Sequence, residues 1–353
     1  MPETRPFMLA ALGLLICVSA LAASALLTQL ARRLASGSGL LDMPNPRSSH
    51  GVPTPRGGGV AIATVTTAGL LILALSGAVQ WQLLWSLTGG GLAVALVGAA
   101  DDRRSLSATI RLAVHFGAAL WALVWLGGLP PLRVGDHLVA LGWAGYLLGA
   151  CGIVWALNLF NFMDGIDGIA ASEAIFIALA AALLNASLGA DTGVALAALL
   201  FAAACGGFLL WNWPPASIFL GDVGSGYLGY VIVVLAVAAT RDNPVALWVW
   251  LILGGAFFSD ATVTLARRVL RKERLQEAHR SHAYQRLARR WGSHGRVTLA
   301  FLAVNVLWLL PCAVLAVWLP RYAVVAVAVA LTPLALLAVA LGSGRREHRS
   351  PEQ

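Results

Sequence analysis

Asn161, Asp164 and Asp167 recur every three residues within Asn161-Phe162-Met163-Asp164-Gly165-Ile166-Asp167-Gly168, in a chain where only 11% of residues are charged. Oxygen-bearing side chains at that spacing form one polar stripe if the segment is helical, or line a loop if it unwinds at its glycines. Donors of this kind suit Mg2+, which takes one or two carboxylates and completes its shell with substrate phosphates. Neither Cys nor His stands beside them at metal-ligand spacing, which argues against zinc. Asp222, within Phe219-Leu220-Gly221-Asp222-Val223-Gly224-Ser225, has two readings: a metal-bearing carboxylate next to a phosphate, or an N-cap that accepts backbone N–H bonds.

Asp101 and Asp102 close another apolar run and are followed by Arg103 and Arg104. Adjacent helix positions point to different faces, so the two carboxylates are expected to do different jobs. They read either as a solvated helix end paired with the arginines or as acids placed to meet an amphiphile's phosphate. Asp260 lies well inside a span and is expected to be a buried partner of another polar group. On the basic side, His279-Arg280-Ser281-His282 puts two imidazoles and a guanidinium within four residues, a set able to surround a pyrophosphate. Arg56-Gly57-Gly58-Gly59 precedes a helix. Its glycines either bring backbone amides to a phosphate or simply let helices pack closely.

The elements that must carry these residues are apolar. Of the 353 residues 59% are hydrophobic, far from a soluble domain, where about a quarter are charged. Runs long enough to cross a hydrocarbon layer of about 30 Å predict an all-α integral membrane protein with 10–11 transmembrane helices. The eleven candidate spans cover 7–30, 58–76, 81–100, 110–128, 143–161, 170–188, 194–212, 223–239, 245–266, 297–318 and 323–342. The first is too long for the apolar region of a secretory signal.

Arg32 and Arg33 after the first span outweigh Arg5 before it, so the positive-inside rule sets the N-terminus outside. Threading the spans from there leaves Arg5, Arg133, Arg241 and Arg321 outside and the other 20 of 24 Lys and Arg in the cytosol, together with every acidic motif. The net charge of +8 is thus a topology signal that also favours anionic headgroups. No aromatic-interleaved module supports nucleic-acid binding. Residues 1–353 read as a single polytopic domain. Its basic loop, 267–296, is expected to hold an amphipathic interfacial helix with Tyr284, Leu287 and Trp291 on one face. Cys17, Cys151, Cys205 and Cys312 all fall inside spans without CxxC spacing and read as small buried hydrophobes.

In order and topology, Asp42 to Gly59, Asp101-Asp102, Asn158 to Gly168, Asn212 to Ser225 and the His279 to His282 cluster resemble the polyprenyl-phosphate N-acetylhexosamine-1-phosphate transferases of glycosyltransferase family 4. The chain looks like the branch that initiates O-antigen and related bacterial surface glycans, and is more distantly similar to the muramoyl-pentapeptide translocase. The resemblance spans residues 40–290. It implies transfer of a sugar 1-phosphate from a UDP-N-acetylhexosamine to undecaprenyl phosphate at the cytosolic face of the bacterial inner membrane, with UMP released.

By the same resemblance Asp222 is the principal Mg2+ ligand (Mn2+ being the alternative ion), with Asn161 near the metal. Asp101, Asp102 and Asp164 are implied as catalytic carboxylates, Asp167, Asn212 and Phe219 as the nucleotide pocket, and His279, Arg280, His282 and Arg56 as phosphate or sugar contacts. Membrane lipids and a second copy of the chain are the other implied partners. The cluster His279-Arg280-Ser281-His282-Ala283-Tyr284 departs from the run of consecutive histidines in many relatives. Two other classes fit part of the pattern, an ion-coupled carrier and a non-catalytic scaffold for glycan assembly. Carriers place their coupling acids near the midplane, whereas these acids cluster at helix ends.

Overall fold

A backbone in hydrocarbon has no partner except its own turns, so long apolar runs must become helices. The computed structural model describes residues 4–44, 51–187, 191–273 and 280–345. Among the described residues nine helices are long and apolar enough to cross a membrane, ten if one bent pair counts as a span. The chain is an all-α multi-pass membrane protein. Its helices are α1 (Thr4–Ser38), α2 (Gly59–Leu75), α3 (Trp81–Arg103), α4 (Ala108–Leu126), α5 (Trp143–Met163), α6 (Ile169–Ser187) and α7 (Thr192–Asn212). They continue as α8 (Asp222–Asp242), α9 (Ala246–Leu253), α10 (Gly255–Leu270), α11 (Ala283–Trp291), α12 (His294–Val304), α13 (Leu310–Trp318) and α14 (Ala323–Ala340).

All eleven expected spans fall on helices, and two of them depart from a simple crossing. Helix α2 has 17 residues, about 25 Å of rise. The ninth span breaks at Gly254, where α9 and α10 meet at 72°. A Cβ at Gly254 would lie 2.7 Å from the Phe258 ring, and one at Gly255 2.5 Å from Leu331, so neighbours press on bare backbone where the helix bends.

Helix α8 organises the bundle, with 94% of its most apolar window buried against 17% for α14. Close approach to it depends on glycine: a Cβ at Gly98 of α3 would lie 2.3 Å from the Asp222 carbonyl, and one at Gly59 of α2 2.2 Å from the Gly224 Cα. Some polar groups buried between spans pair with one another, as where Asn305 Nδ2 of the π-helical turn Asn305–Leu309 donates to Glu173 Oε2 at 2.5 Å. Cys205 and Cys312 are buried as expected, but Cys151 is exposed on the outer face of α5. Lipid is apolar, so a place inside a span does not require burial in protein.

Alternation of the helices brings the polar motifs to one end of the bundle. Arg56 pairs with Phe219 in a bridge, Asp102 bonds the start of α8, and Asn212 bonds Gly168. A two-residue ribbon pairs Leu41–Asp42 with Thr54–Pro55, next to Arg56 at that end. Arg133 and Arg321 lie at the other end, where Arg133 bonds Pro244 and Trp248 and Arg321 pairs with Asp136. The amphipathic segment of the basic loop forms α11. This helix turns Ala283, Tyr284 and Ala288 into the protein and leaves Trp291 exposed.

Candidate active site

The site begins at the first turn of α8. Gly221, with φ +76°, turns the chain into Asp222, whose backbone N–H donates to Asp102 Oδ1 at 3.0 Å while that of Val223 donates to Asp102 Oδ2 at 3.2 Å. Asp102 belongs to α3 and its side chain is only 3% exposed. It caps α8 from a distance of 120 residues, which answers the two readings of Asp222. The cap comes from elsewhere, and Asp222 keeps its own carboxylate for other partners.

That carboxylate is 37% exposed. Oδ1 accepts a hydrogen bond from Asn161 Nδ2 (2.8 Å), which also donates to Ser225 Oγ (2.9 Å). The Asp101 carboxyl lies within hydrogen-bond reach of it. Asp101 in turn accepts from the Leu106 backbone at 2.6 Å and from Arg111 Nη1 at 2.6 Å. The adjacent acids therefore do different jobs: Asp102 builds a helix start, and Asp101 orients a cation. Arg111, 3.7 Å from Asp222 Oδ2, was not among the residues read from sequence. Its signal was an arginine in the first turns of an otherwise apolar span, a position that needs a functional reason.

Asp164 ends α5 and is partly buried beside this cluster. Enclosure by protein, then the charges of Asp222, Asp102 and Asp167, push its carboxyl up from the ordinary 3.8 to about 8. Crowded acids that resist ionisation are what a divalent cation relieves. Among the described residues no group of three or more His, Cys, Asp or Glu is arranged to hold a metal by itself. Asp222, Asp101 and Asn161 could supply part of an oxygen shell for Mg2+, and they do not form a closed cage.

Asp167 and Asn212 both hold the segment after α7, Asp167 through Ala216 and Asn212 through Ile218, the residue before Phe219. Asp167 Oδ2 accepts from the Ala216 backbone (3.1 Å) and lies 3.3 Å from His294 Nδ1, while the Asp167 carbonyl accepts from Thr298 Oγ1 (3.1 Å). Asn212, expected in the nucleotide pocket, is buried. Its Oδ1 accepts from Gly168 N–H and its Nδ2 donates to the Ile218 carbonyl, so backbone holds both ends of the amide and it serves as a clamp beneath that region. His294 and Thr298 carried no sequence signal, since both stand near the start of an apolar span, far along the chain from Asp167.

The N–H groups of Gly58 and Gly59 donate to the carbonyls of Phe219 and Leu220, both at 2.9 Å. The glycines thus serve close packing, and those amides do not face a phosphate. Arg56 reaches Asp42 at 3.0 Å and Asp102 at 3.7 Å, at the edge of the carboxylate cluster.

The basic cluster is only partly within the described residues, and His279 lies outside them. Arg280 accepts at its carbonyl from Arg289. His282 is 1% exposed, stacked against Phe162 with ring centroids 6.4 Å apart, and 3.8 Å from Asp260. It touches the site from behind, through Phe162, and does not face open space. Asp260 is the buried polar partner expected of it.

At one end of a helical membrane bundle the fold gathers hard oxygen donors and an arginine, an arrangement suited to phosphotransfer. Residues 84–240 match the model of glycosyl transferase family 4. The chain is 29% identical to the probable undecaprenyl-phosphate N-acetylglucosaminyl 1-phosphate transferase of Bacillus subtilis, over 84% of each protein. It is 34% identical to the phospho-N-acetylmuramoyl-pentapeptide-transferase of Moorella thermoacetica, over 60% of this chain and 69% of that protein. It is also 28% identical to the decaprenyl-phosphate N-acetylglucosaminephosphotransferase of Mycobacterium tuberculosis, over 76% and 74% respectively. The chain belongs to glycosyl transferase family 4, the polyprenyl-phosphate N-acetylhexosamine-1-phosphate transferases.

Proposed function

We propose that the protein transfers an N-acetylhexosamine 1-phosphate from a UDP-linked donor to undecaprenyl phosphate, the first step of O-antigen or a related cell-surface polysaccharide. The observation that carries this reading is the convergence of Asp222, Asp101 and Asn161 beside Arg111 at the polar end of the bundle. Two anions must meet for the reaction to occur, and such a site offsets their repulsion.

An oxygen of the acceptor phosphate attacks the sugar-bearing phosphorus, the P–O–P bridge breaks, and UMP leaves with the bridging oxygen. Mg2+ held by Asp222 and Asn161 would supply charge neutralisation to the phosphates. Arg111, oriented by Asp101, faces the acceptor phosphate where it lies at membrane depth. Asp164 takes the acceptor's last proton or positions its phosphate, since the monoester is already largely ionised near neutrality. Asp102 keeps Asp222 in place, Asp167 and Phe219 flank the nucleotide over the Asn212 clamp, and Arg56, Arg280, His279 and His282 serve the phosphates and sugar directly or from behind.

With the N-terminus outside, the site faces the cytosol of the bacterial inner membrane, where nucleotide sugars are made. Purified protein given undecaprenyl phosphate, Mg2+ and a panel of UDP-N-acetylhexosamines tests the reading. Release of UMP with at least one donor supports it. Release with none, in protein shown to be folded, overturns it.

A further inference from the structure

One group of hydrogen bonds stands outside the proposed chemistry and runs from the segment after α14 to the Asp164 turn. Asp260 of α10 is 3% exposed. Its Oδ1 accepts from the Ala283 backbone (2.8 Å), Ser343 Oγ (3.0 Å) and Thr264 Oγ1 (3.2 Å), and its Oδ2 accepts from the Tyr284 backbone (3.1 Å). Ala283 and Tyr284 open helix α11, so Asp260 caps its first turn from another helix, beside the Gln285 side chain, which accepts from the His282 N–H. A carboxylate deep in the protein persists where N–H and O–H donors replace water.

The segment after α14 is tied to the same place. Ser343 is fully buried, Gly344 N–H donates to the Ser281 carbonyl (2.8 Å), and Arg267 Nη1 donates to the Ser343 carbonyl (2.7 Å). Three parts of the chain distant in sequence thus meet on one carboxylate.

The far end of α11 from this cap is not where its effect lies, because Tyr284 is in the first turn. Its ring is fully buried, and its hydroxyl donates to the Phe162 carbonyl at 2.9 Å, two residues before Asp164. A Cβ on Gly165, the residue after Asp164, would lie 2.1 Å from that hydroxyl, so Tyr284 bears on the turn on both sides of the carboxylate. Gly165 is the residue type that leaves room for it.

We infer that Asp260 and Tyr284 are positioning residues that hold the Asp164 turn in its working place, with Ser343 as their outer tie. This rests on the reading of Asp164 as a site carboxylate. Reaction rates fall steeply when a reacting group is displaced by about 1 Å, so loss of one tie acts on turnover before it acts on folding.

Tyr284→Phe removes one oxygen and keeps the buried ring. It is expected to lower kcat about tenfold, the size of one lost hydrogen bond, with KM for both substrates within about twofold. Ser343→Ala should lower kcat in the same direction by about two- to threefold. Asp260→Asn keeps an acceptor for the α11 cap and should retain more turnover than Asp260→Ala. Because the ties act in series, Tyr284→Phe and Asp260→Asn combined should lose about as much as the worse single variant.

Amide hydrogen exchange supplies a readout that does not depend on turnover. In Tyr284→Phe the amides of residues 161–168 should exchange about tenfold faster, with the rest of α5 unchanged. Wild-type kcat together with unchanged exchange in Tyr284→Phe overturns the inference, as does a kcat loss that matches the unfolded fraction in each variant. Absence of UMP release by the wild type overturns the proposed reaction instead, and the exchange experiment still decides whether Tyr284 holds the turn.

Discussion

Asp102 and Asp222 are both acids of the same site, and the structure gives them opposite effects on stability. Asp102→Ala deprives the backbone N–H groups of Asp222 and Val223 of their acceptor and removes a negative charge from the positive end of α8. A lost N-cap costs about 0.5 to 2 kcal/mol, and a partly buried charge at a helix end adds up to about 2 kcal/mol. With the side chain 3% exposed, water does not replace it well, so a loss of about 2 kcal/mol is expected. Asp222→Ala removes no backbone acceptor and takes a charge out of a crowd of carboxyls, so the metal-free protein should be as stable as the wild type or more so. Unfolding in mixed micelles, followed through the 13 tryptophans, measures both variants. A destabilised Asp222→Ala beside an unaffected Asp102→Ala would refute the assignment of the cap.

Asp222→Asn and Asp164→Asn should each lower UMP release at least about 100-fold, the size of a lost electrostatic contact in the transition state. Near-normal turnover in both would show that the site is misplaced. Arg111→Gln should raise KM for the polyprenyl phosphate by about tenfold and leave the donor KM nearly unchanged, as for loss of one charge-assisted contact. Because the folded protein holds the Asp164 proton more tightly than the unfolded chain, its contribution to stability is full below the ordinary value of 3.8 and is lost as pH rises through about 8. Metal-free protein should therefore melt lower at about pH 9 than at about pH 6, and Asp164→Asn should show a flatter dependence; melting curves recorded in chelator check this.

The spans were legible because hydrocarbon admits so few backbone solutions that apolar length alone decides them. The clustering of Asp101-Asp102, Asn161 to Asp167 and Asp222 at one end followed from counting those spans. What was hidden is which acid bonds to which backbone: Asp102 capping α8 and Asp260 capping α11 each join residues more than 20 positions apart. No local pattern marks a helix whose cap comes from another helix. The break at Gly254 was invisible for a related reason, since a Gly-Gly pair inside an apolar run is tolerated in straight helices, and its neighbours here, Phe258 and Leu331, are set by the tertiary packing. Arg111 was readable as an arginine inside an apolar span, and His294 was not, because its partner Asp167 lies 127 positions away.

The central claim is that Asp222 and its neighbours join two phosphorylated substrates. Protein in vesicles containing undecaprenyl phosphate, supplied with a UDP-N-acetylhexosamine, should form one undecaprenyl-pyrophosphoryl sugar for each UMP released, both counted by mass spectrometry, and Asp222→Asn should abolish both together. UMP formed without lipid-linked sugar, or lipid-linked sugar formed at wild-type rate by Asp222→Asn, would contradict it.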